Sequence, residues 1–147
     1  MRTDKLADMR TTELLTLYAD ILRELVNRKI VRSKNNPVGD LAELLVVRAL
    51  GLESNPNSTK GCDAICPKTA RKYEIKARRI TEDNPSRRLS AIRDLEGCHF
   101  DYLAGVLFNG NFGILRAALL PFEVVKQLSR HDSHVNAAIV DLREDLW

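Results

Sequence analysis

The fold of this 147-residue chain is decided by residues 62–80, CDAICPKTARKYEIKARRI. Two short apolar runs, at 62–66 and 72–80, are separated by the turn-forming stretch Pro-Lys-Thr-Ala-Arg, a pattern that predicts a β-hairpin. Side chains alternate along a strand, so Glu74 and Lys76 are expected to project from the same face of the second strand. The hairpin therefore places an acidic and a basic side chain together.

Asp63 is expected to join this pair, because it lies on the first strand of the hairpin and can face Glu74 across it. Two adjacent carboxylates repel each other unless a cation lies between them, and oxygen ligands at this spacing suit Mg²⁺ or Mn²⁺. We therefore predict a divalent-metal site formed by Asp63 and Glu74. The metal would polarise a phosphodiester and lower the pKa of a bound water, and Lys76 would orient or deprotonate that water or stabilise charge on phosphorus.

The positive charge of the chain is concentrated around this hairpin. Between Lys60 and Arg93 there are ten basic and four acidic residues, a local balance of +6 in a chain of net charge +3, so the remainder carries −3. A concentrated basic segment is expected where a polyanion binds, although a solvated charged face is the ordinary explanation of such a run. The basic residues that extend or flank the hairpin are Lys60, Arg71, Lys72, Arg78 and Arg79.

An acidic residue also lies within an apolar helix. The sequence predicts this helix at 37–50, begun by Asn36-Pro37 and ended by Gly51. Nearly all of its positions are apolar, so we expect it to be largely buried, and burial of Glu43 is costly unless its charge is compensated. An equally good interpretation is a capping box with Asp40, if the helix begins at that residue.

The remaining pattern predicts an α/β domain with a mixed sheet. We expect one domain over 1–147, with an N-terminal helical extension at 1–32 and a core at 37–119. The further predicted elements are an amphipathic helix at 11–32, a loop with a short strand at 52–61, a helix at 86–95, strands at 100–108 and 112–119, a helix from Pro121 to Ser129 and a strand at 137–142. The amphipathic helix could pack on the core or form a homodimer.

Other classes of site and location are not indicated. The cysteines, Cys62, Cys66 and Cys98, form no CxxC pair and are interpreted as small buried residues. The three histidines are interpreted as ordinary surface or core residues. No apolar run approaches the roughly 18 to 20 residues of a membrane span, and the N-terminus lacks a secretory signal, so we expect a cytoplasmic protein.

Taken together, the acidic residue in a helix, the Asp after a Gly on one short strand and the Glu-x-Lys on the next resemble the PD-(D/E)XK nuclease superfamily. The resemblance covers about 37–119. It implies a restriction-endonuclease-like αβββαβ core in which Asp63 matches the motif Asp, Glu74 and Lys76 match (D/E)-x-K, and Glu43 matches the helix acid. Cys62 stands where the name-giving Pro would be.

The resemblance also implies contacts to nucleic acid. The stretch 58–61 is similar to the loop before the motif Asp in Holliday-junction resolvases, where Ser58 or Lys60 would contact phosphate. The predicted helix at 86–95 occupies the place of a family helix that often lies near the substrate, although a solvated helix face is an equal alternative; it carries Arg87, Arg88, Ser90 and Arg93. The expected function is a divalent-metal-dependent endonuclease that hydrolyses phosphodiester bonds in DNA. The alternatives are a nucleic-acid-binding module without turnover and a nuclease acting on RNA.

Overall fold

The computed structural model of the protein describes residues 2–34, 36–55, 62–97 and 99–143. Both helices and strands are present, as expected for the α/β class. The elements are α1 (Arg2–Ala7), α2 (Thr11–Asn27), α3 (Val38–Leu50), β1 (Glu53–Ser54), β2 (Ala64–Ile65), β3 (Lys72–Arg79), a 3₁₀ helix (Leu95–Gly97), β4 (Tyr102–Phe108), β5 (Ile114–Pro121), α4 (Phe122–Leu128), β6 (Arg130–Asp132) and β7 (Ala137–Ile139).

A mixed five-stranded sheet with the order β1-β2-β3-β4-β5 forms the centre of the structure. Neighbouring strands are antiparallel except for β3 and β4, which are parallel. The predicted hairpin is confirmed, since Ala64 lies opposite Tyr73 and the Cys66 amide donates to the Arg71 carbonyl at 2.9 Å. Strands β6 and β7 pair separately. The sheet and its flanking helices confirm the predicted α/β class.

The two faces of the sheet are covered by different parts of the chain. On one face, Ile75 and Val106 pack with Ala42 and Val46 of α3. On the other face, a second apolar cluster joins Leu103 and Leu107 of β4 to residues from the connection before β4 and from β5 onward, namely Leu89, Ile92, Phe100, Leu120, Val125, Val140 and Leu142. By strand alternation, Glu74 and Lys76 project from this second face.

Helix α3 begins and ends close to the predicted residues. The Asn36 side-chain oxygen accepts a hydrogen bond from the Val38 amide at 3.1 Å, and Gly51 ends the helix with a left-handed φ of 65°. The helix therefore starts two residues before Asp40, and the capping-box interpretation of Asp40 and Glu43 is wrong. The Asp40 carboxylate instead accepts a hydrogen bond from the Arg32 amide at 2.8 Å.

The expectation that α3 is largely buried is also wrong. Ala42 and Val46 are buried, most of the other positions are half-buried, and Leu50 at the end of the helix is exposed. The reason is that α3 packs on the sheet by one side, chiefly against β3. Apolar composition alone does not show how many sides of a helix are covered.

The predicted helix at 86–95 is wrong. The segment is extended, and its backbone hydrogen-bonds the C-terminal part of the chain, with the Leu89 amide donating to the Val140 carbonyl at 3.0 Å and Ile92 exchanging two bonds with Ala138 at 2.9 Å. Leu89 and Ile92 are buried in the second cluster. Apolar residues three apart fit a helix, but these tertiary contacts override the local preference.

The hairpin of β4 and β5 and the helix after Pro121 are confirmed, with small changes of boundary. The predicted C-terminal strand is shorter than expected as β7, and its partner β6 was not predicted. Cys62 is buried as expected, whereas Cys66 is only half-buried because it lies at the turn of the hairpin. Residues 56–61, which include most of the predicted loop, and Cys98 lie outside the described residues. Across the described ranges, no helix has the length and apolar character needed to cross a bilayer.

Candidate metal and nucleic-acid site

Asp63 is fixed beside Glu74 by the register of the hairpin. Asp63 directly precedes Ala64, which is paired with Tyr73, and its carboxylate lies close enough to Glu74 to raise the pKa of that residue. The Asp63 amide donates to the Tyr73 carbonyl at 2.8 Å, and its side-chain Oδ2 accepts from the Ile75 amide at 2.7 Å. The side chain thus replaces a strand partner at the point where β2 begins, and the two carboxylates predicted to lie together do so.

Lys76 lies on the same face as Glu74, and its Nζ is 3.2 Å from Glu74 Oε1. Both side chains are mostly covered, with 14% of Glu74 and 21% of Lys76 exposed. Burial raises the pKa of Glu74 above its ordinary value of 4.5, the Asp63 carboxylate raises it further, and the Lys76 ammonium opposes both effects. The predicted trio of Asp63, Glu74 and Lys76 is therefore one electrostatic unit.

This unit has the chemistry of a small cation site. Glu74 is mostly covered and lies near a second carboxylate, and one oxygen of Asp63 already accepts from a backbone amide, so the pair would supply few ligands and leave room for water and phosphate oxygens. Mg²⁺ is bound in this manner in many proteins. Within the described residues, no group of three or more Asp, Glu, His or Cys side chains is arranged to hold a metal ion. Any cation held here would therefore have at most these two carboxylates as described side-chain ligands.

A pocket of about 220 Å³ opens next to Glu74 and Lys76. Its lining residues are Glu74, Lys76, Ala91, Ile92, Arg93, Asp94, His99 and Phe100. His99 Nε2 lies 2.7 Å from Asp94 Oδ2. The interpretation of His99 as an ordinary histidine missed its position in this pocket. No pattern could have revealed it, because it is placed by the irregular connection between β3 and β4.

The contacts that the structure describes for Glu43 do not include Asp63, Glu74 or Lys76. Its carboxylate forms an ion pair with the Arg32 guanidinium, in which 14% of Glu43 and 52% of Arg32 are exposed. This compensates the charge of the carboxylate, as burial in α3 requires. Glu43 is on the helix that covers the first face of the sheet, whereas Glu74 and Lys76 project from the second. Its match to the helix acid of the superfamily stays a prediction.

The basic residues around the hairpin divide between the two faces. Arg78 is on the face of Glu74 and Lys76, and its Nη2 donates to Asn84 Oδ1 at 3.3 Å. Arg79 is on the opposite face, where it donates to the Gly110 carbonyl at 3.0 and 2.6 Å and lies over the Phe112 ring. Arg71 and Lys72 are exposed at the start of β3, and Arg71 lies over the Tyr102 ring.

The basic residues of the expected helix are also separated. Arg93 lines the pocket beside Glu74. Arg88 forms longer ion pairs with Asp132 at 3.8 Å and Asp141 at 3.9 Å, and Arg87 is half-buried, with its carbonyl accepting from the Leu142 amide at 3.1 Å. Of the three, Arg93 is therefore the best placed to meet a ligand of the trio. Ser58 and Lys60 lie outside the described residues.

No protein-family profile matches this chain, and no curated protein sequence matches it significantly. The resemblance to the PD-(D/E)XK superfamily therefore depends on the motif residues and their arrangement.

Proposed function

We propose that the protein is a divalent-metal-dependent nuclease that hydrolyses phosphodiester bonds in DNA at Asp63, Glu74 and Lys76. The observation that carries this proposal is the mostly covered Glu74 carboxylate, which has the Asp63 carboxylate near it and the Lys76 ammonium 3.2 Å away. A mostly covered carboxylate beside a second one is unfavourable in its charged form without a cation, and a residue with a perturbed pKa, as Glu74 has, is frequent at functional sites. The adjoining pocket gives a reacting group access to Glu74 and Lys76.

Each residue has a role that its position supports. Asp63, one oxygen of which accepts from the Ile75 amide, would supply its other oxygen to a cation, and Glu74 would supply the second ligand. A bound Mg²⁺ or Mn²⁺ would polarise the phosphate and make an attacking water more acidic. Lys76 would donate hydrogen bonds to the phosphate oxygens and stabilise the negative charge that develops there. Arg93, across the pocket, would hold a neighbouring phosphate of the backbone.

The restriction-endonuclease-like fold is part of the same proposal. In its support, a helix precedes three antiparallel strands, and the next strand runs parallel to the third. The chain departs from the αβββαβ pattern between β3 and β4, where an extended segment stands in place of a helix. Because this segment carries Arg93 and His99 to the pocket, we expect the departure to change how substrate is held more than how the phosphate is cleaved.

A second candidate is a nucleic-acid-binding module with this architecture and no turnover. It is favoured by the position of Lys76 Nζ against Glu74 Oε1, because an ammonium there already compensates the carboxylate that would otherwise need a metal. Such a protein would bind DNA through its basic residues with strong salt dependence. It would show no metal affinity that depends on Asp63 or Glu74.

The test is a cleavage assay on plasmid, single-stranded, branched and modified DNA, with RNA as a further arm, in Mg²⁺ and in Mn²⁺. We expect DNA cleavage by the wild type and a loss of about 10²–10⁴-fold in Asp63→Asn, Glu74→Gln and Lys76→Met. Lys68→Met is the matched control, since it removes the same charge from an exposed lysine in the turn of the hairpin. It should retain activity.

The outcomes separate the candidates. Cleavage of RNA alone would replace DNA as the substrate. DNA binding without cleavage of any substrate, and with no response to metal, would favour the binding module. Cleavage that persists equally in Asp63→Asn and Lys76→Met would show that the activity comes from a contaminant or another site, and the proposal would be wrong.

A further inference from the structure

Half of one face of helix α2 is uncovered. Toward the C-terminal end of the helix, Leu22 is buried and Leu25 and Val26 are half-buried. Toward its N-terminal end the same face continues with four large side chains that are between 36% and 62% exposed, namely Leu14, Leu15, Tyr18 and Ile21. They recur at helical spacing, so they form one continuous apolar surface. We call these four residues the α2 patch.

A second uncovered surface lies on β5, the last strand of the sheet. Leu120 and Ala118 of this strand pack into the cluster on the second face. By alternation, Ala117 and Leu119 project from the first face, and Leu119 is 45% exposed. Ile114 and Leu115, at the bulge that begins the strand, are 57% and 49% exposed. Helix α3 packs on β3, two strands away, and so leaves these four residues, the β5 patch, uncovered.

We propose that α2 of one copy of the chain packs across the β5 patch of a second copy, in a twofold-symmetric dimer. A helix laid on an open sheet face is a usual way for both to bury apolar surface, and α3 does the same on β3 of this sheet. Each chain carries one patch of each kind. A twofold axis therefore pairs both patches of both chains and leaves neither patch open for further growth.

The area of the patches favours a second copy as the occupant. The seven large side chains of the two patches are each open by about half, which offers on the order of 600 Å² per chain. A stable interface buries about 800 Å² per partner, so both patches together approach this size and either patch alone falls well short. Pairing α2 with α2, or β5 with β5, would bury one patch and leave the other exposed.

The test is the solution mass of the full chain by analytical ultracentrifugation over a range of micromolar concentrations. The wild type should be dimeric, and Tyr18→Glu and Leu119→Lys should each raise the dimer dissociation constant at least about tenfold. Val135→Lys is the control, because Val135 is a comparably exposed apolar residue outside both patches. It should leave the mass of the dimer unchanged.

Mixing the two variants decides how the chains pair. If α2 packs on β5, the mixed dimer contains one intact contact and one in which the carboxylate introduced on α2 faces the ammonium introduced on β5. Because these opposite charges attract, the dimer mass should return. A mixture that stays monomeric would overturn this pairing and indicate contacts between like elements. A wild type that is monomeric throughout would overturn the dimer itself. Ile21→Glu with Leu115→Lys repeats the comparison if circular dichroism shows that either first variant is unfolded.

Discussion

Replacing Glu74 with Gln should make the protein more stable without metal and should reduce the stabilisation that added metal gives. Without metal, ionised Glu74 is unfavourable, because burial and the Asp63 carboxylate both oppose its charge. Glutamine keeps the shape and loses the charge. We therefore expect metal-free Glu74→Gln to be more stable than the wild type at neutral pH, in spite of the lost contact with Lys76.

Added metal should stabilise the wild type more than Glu74→Gln and so favour the wild type. At a cation concentration ten times the dissociation constant, binding to the folded state adds about 1.4 kcal/mol. For a chain of 147 residues this raises the midpoint of thermal unfolding by about 4 °C. Glu74→Gln retains a single carboxylate of the pair and should shift by about 1 °C or less under the same conditions.

The assay is thermal unfolding of the wild type, Glu74→Gln and Lys68→Met in chelator and in increasing Mn²⁺ or Mg²⁺. Lys68→Met should follow the wild type. Equal shifts in wild type and Glu74→Gln would refute the reasoning, because the cation would then bind elsewhere. A Glu74→Gln protein that is less stable than wild type in chelator would show that the contact with Lys76 outweighs the cost of burying the charge.

Three further predictions concern the pH dependence of stability, the packing at Gly105 and the ion pair of Glu43. Because the folded pKa of Glu74 is raised, its neutral form stabilises the metal-free protein at pH values below 4.5. This contribution to stability is lost as the pH rises through the higher folded pKa. Urea unfolding at several pH values should show this trend in the wild type and not in Glu74→Gln. Gly105→Ala would place a Cβ 2.7 Å from a methyl carbon of a buried leucine and should lower the free energy of unfolding by about 1–3 kcal/mol. Gly110→Ala is the control, because its added Cβ meets no described atom within 4 Å and should leave stability nearly unchanged. Arg32→Met leaves the mostly covered Glu43 without its ion-pair partner and should lower the free energy of unfolding by about 1–2 kcal/mol. Adding Glu43→Gln should recover part of this loss, and no recovery in the double variant would argue against the pairing.

The hairpin and the trio could be predicted because their signals are local. Alternation along one strand places Glu74 and Lys76 together, and a short turn sets the register that brings Asp63 near Glu74. Helix α3 could be predicted for the same reason, since Asn36 and Gly51 mark its ends in the sequence.

What could not be predicted depends on distant parts of the chain. The segment from Leu89 to Ile92 has helical spacing but hydrogen-bonds residues near Ala138, far later in the chain. The place of His99 in the pocket follows from this connection and not from any motif. Similarly, the composition of α3 does not reveal that the Glu43 carboxylate meets Arg32 from the preceding connection.

The hydrogen bond from the Ile75 amide to Asp63 Oδ2 gives this aspartate a part in the alignment of β2 with β3 as well as in the proposed chemistry. A slip of β2 by one residue against β3 would turn Asp63 to the opposite face and break this bond at the same time. A misaligned hairpin would therefore separate the two carboxylates. Under the proposed function, loss of metal binding in a collection of variants would then report misaligned strands even where the substitution lies far from the cluster.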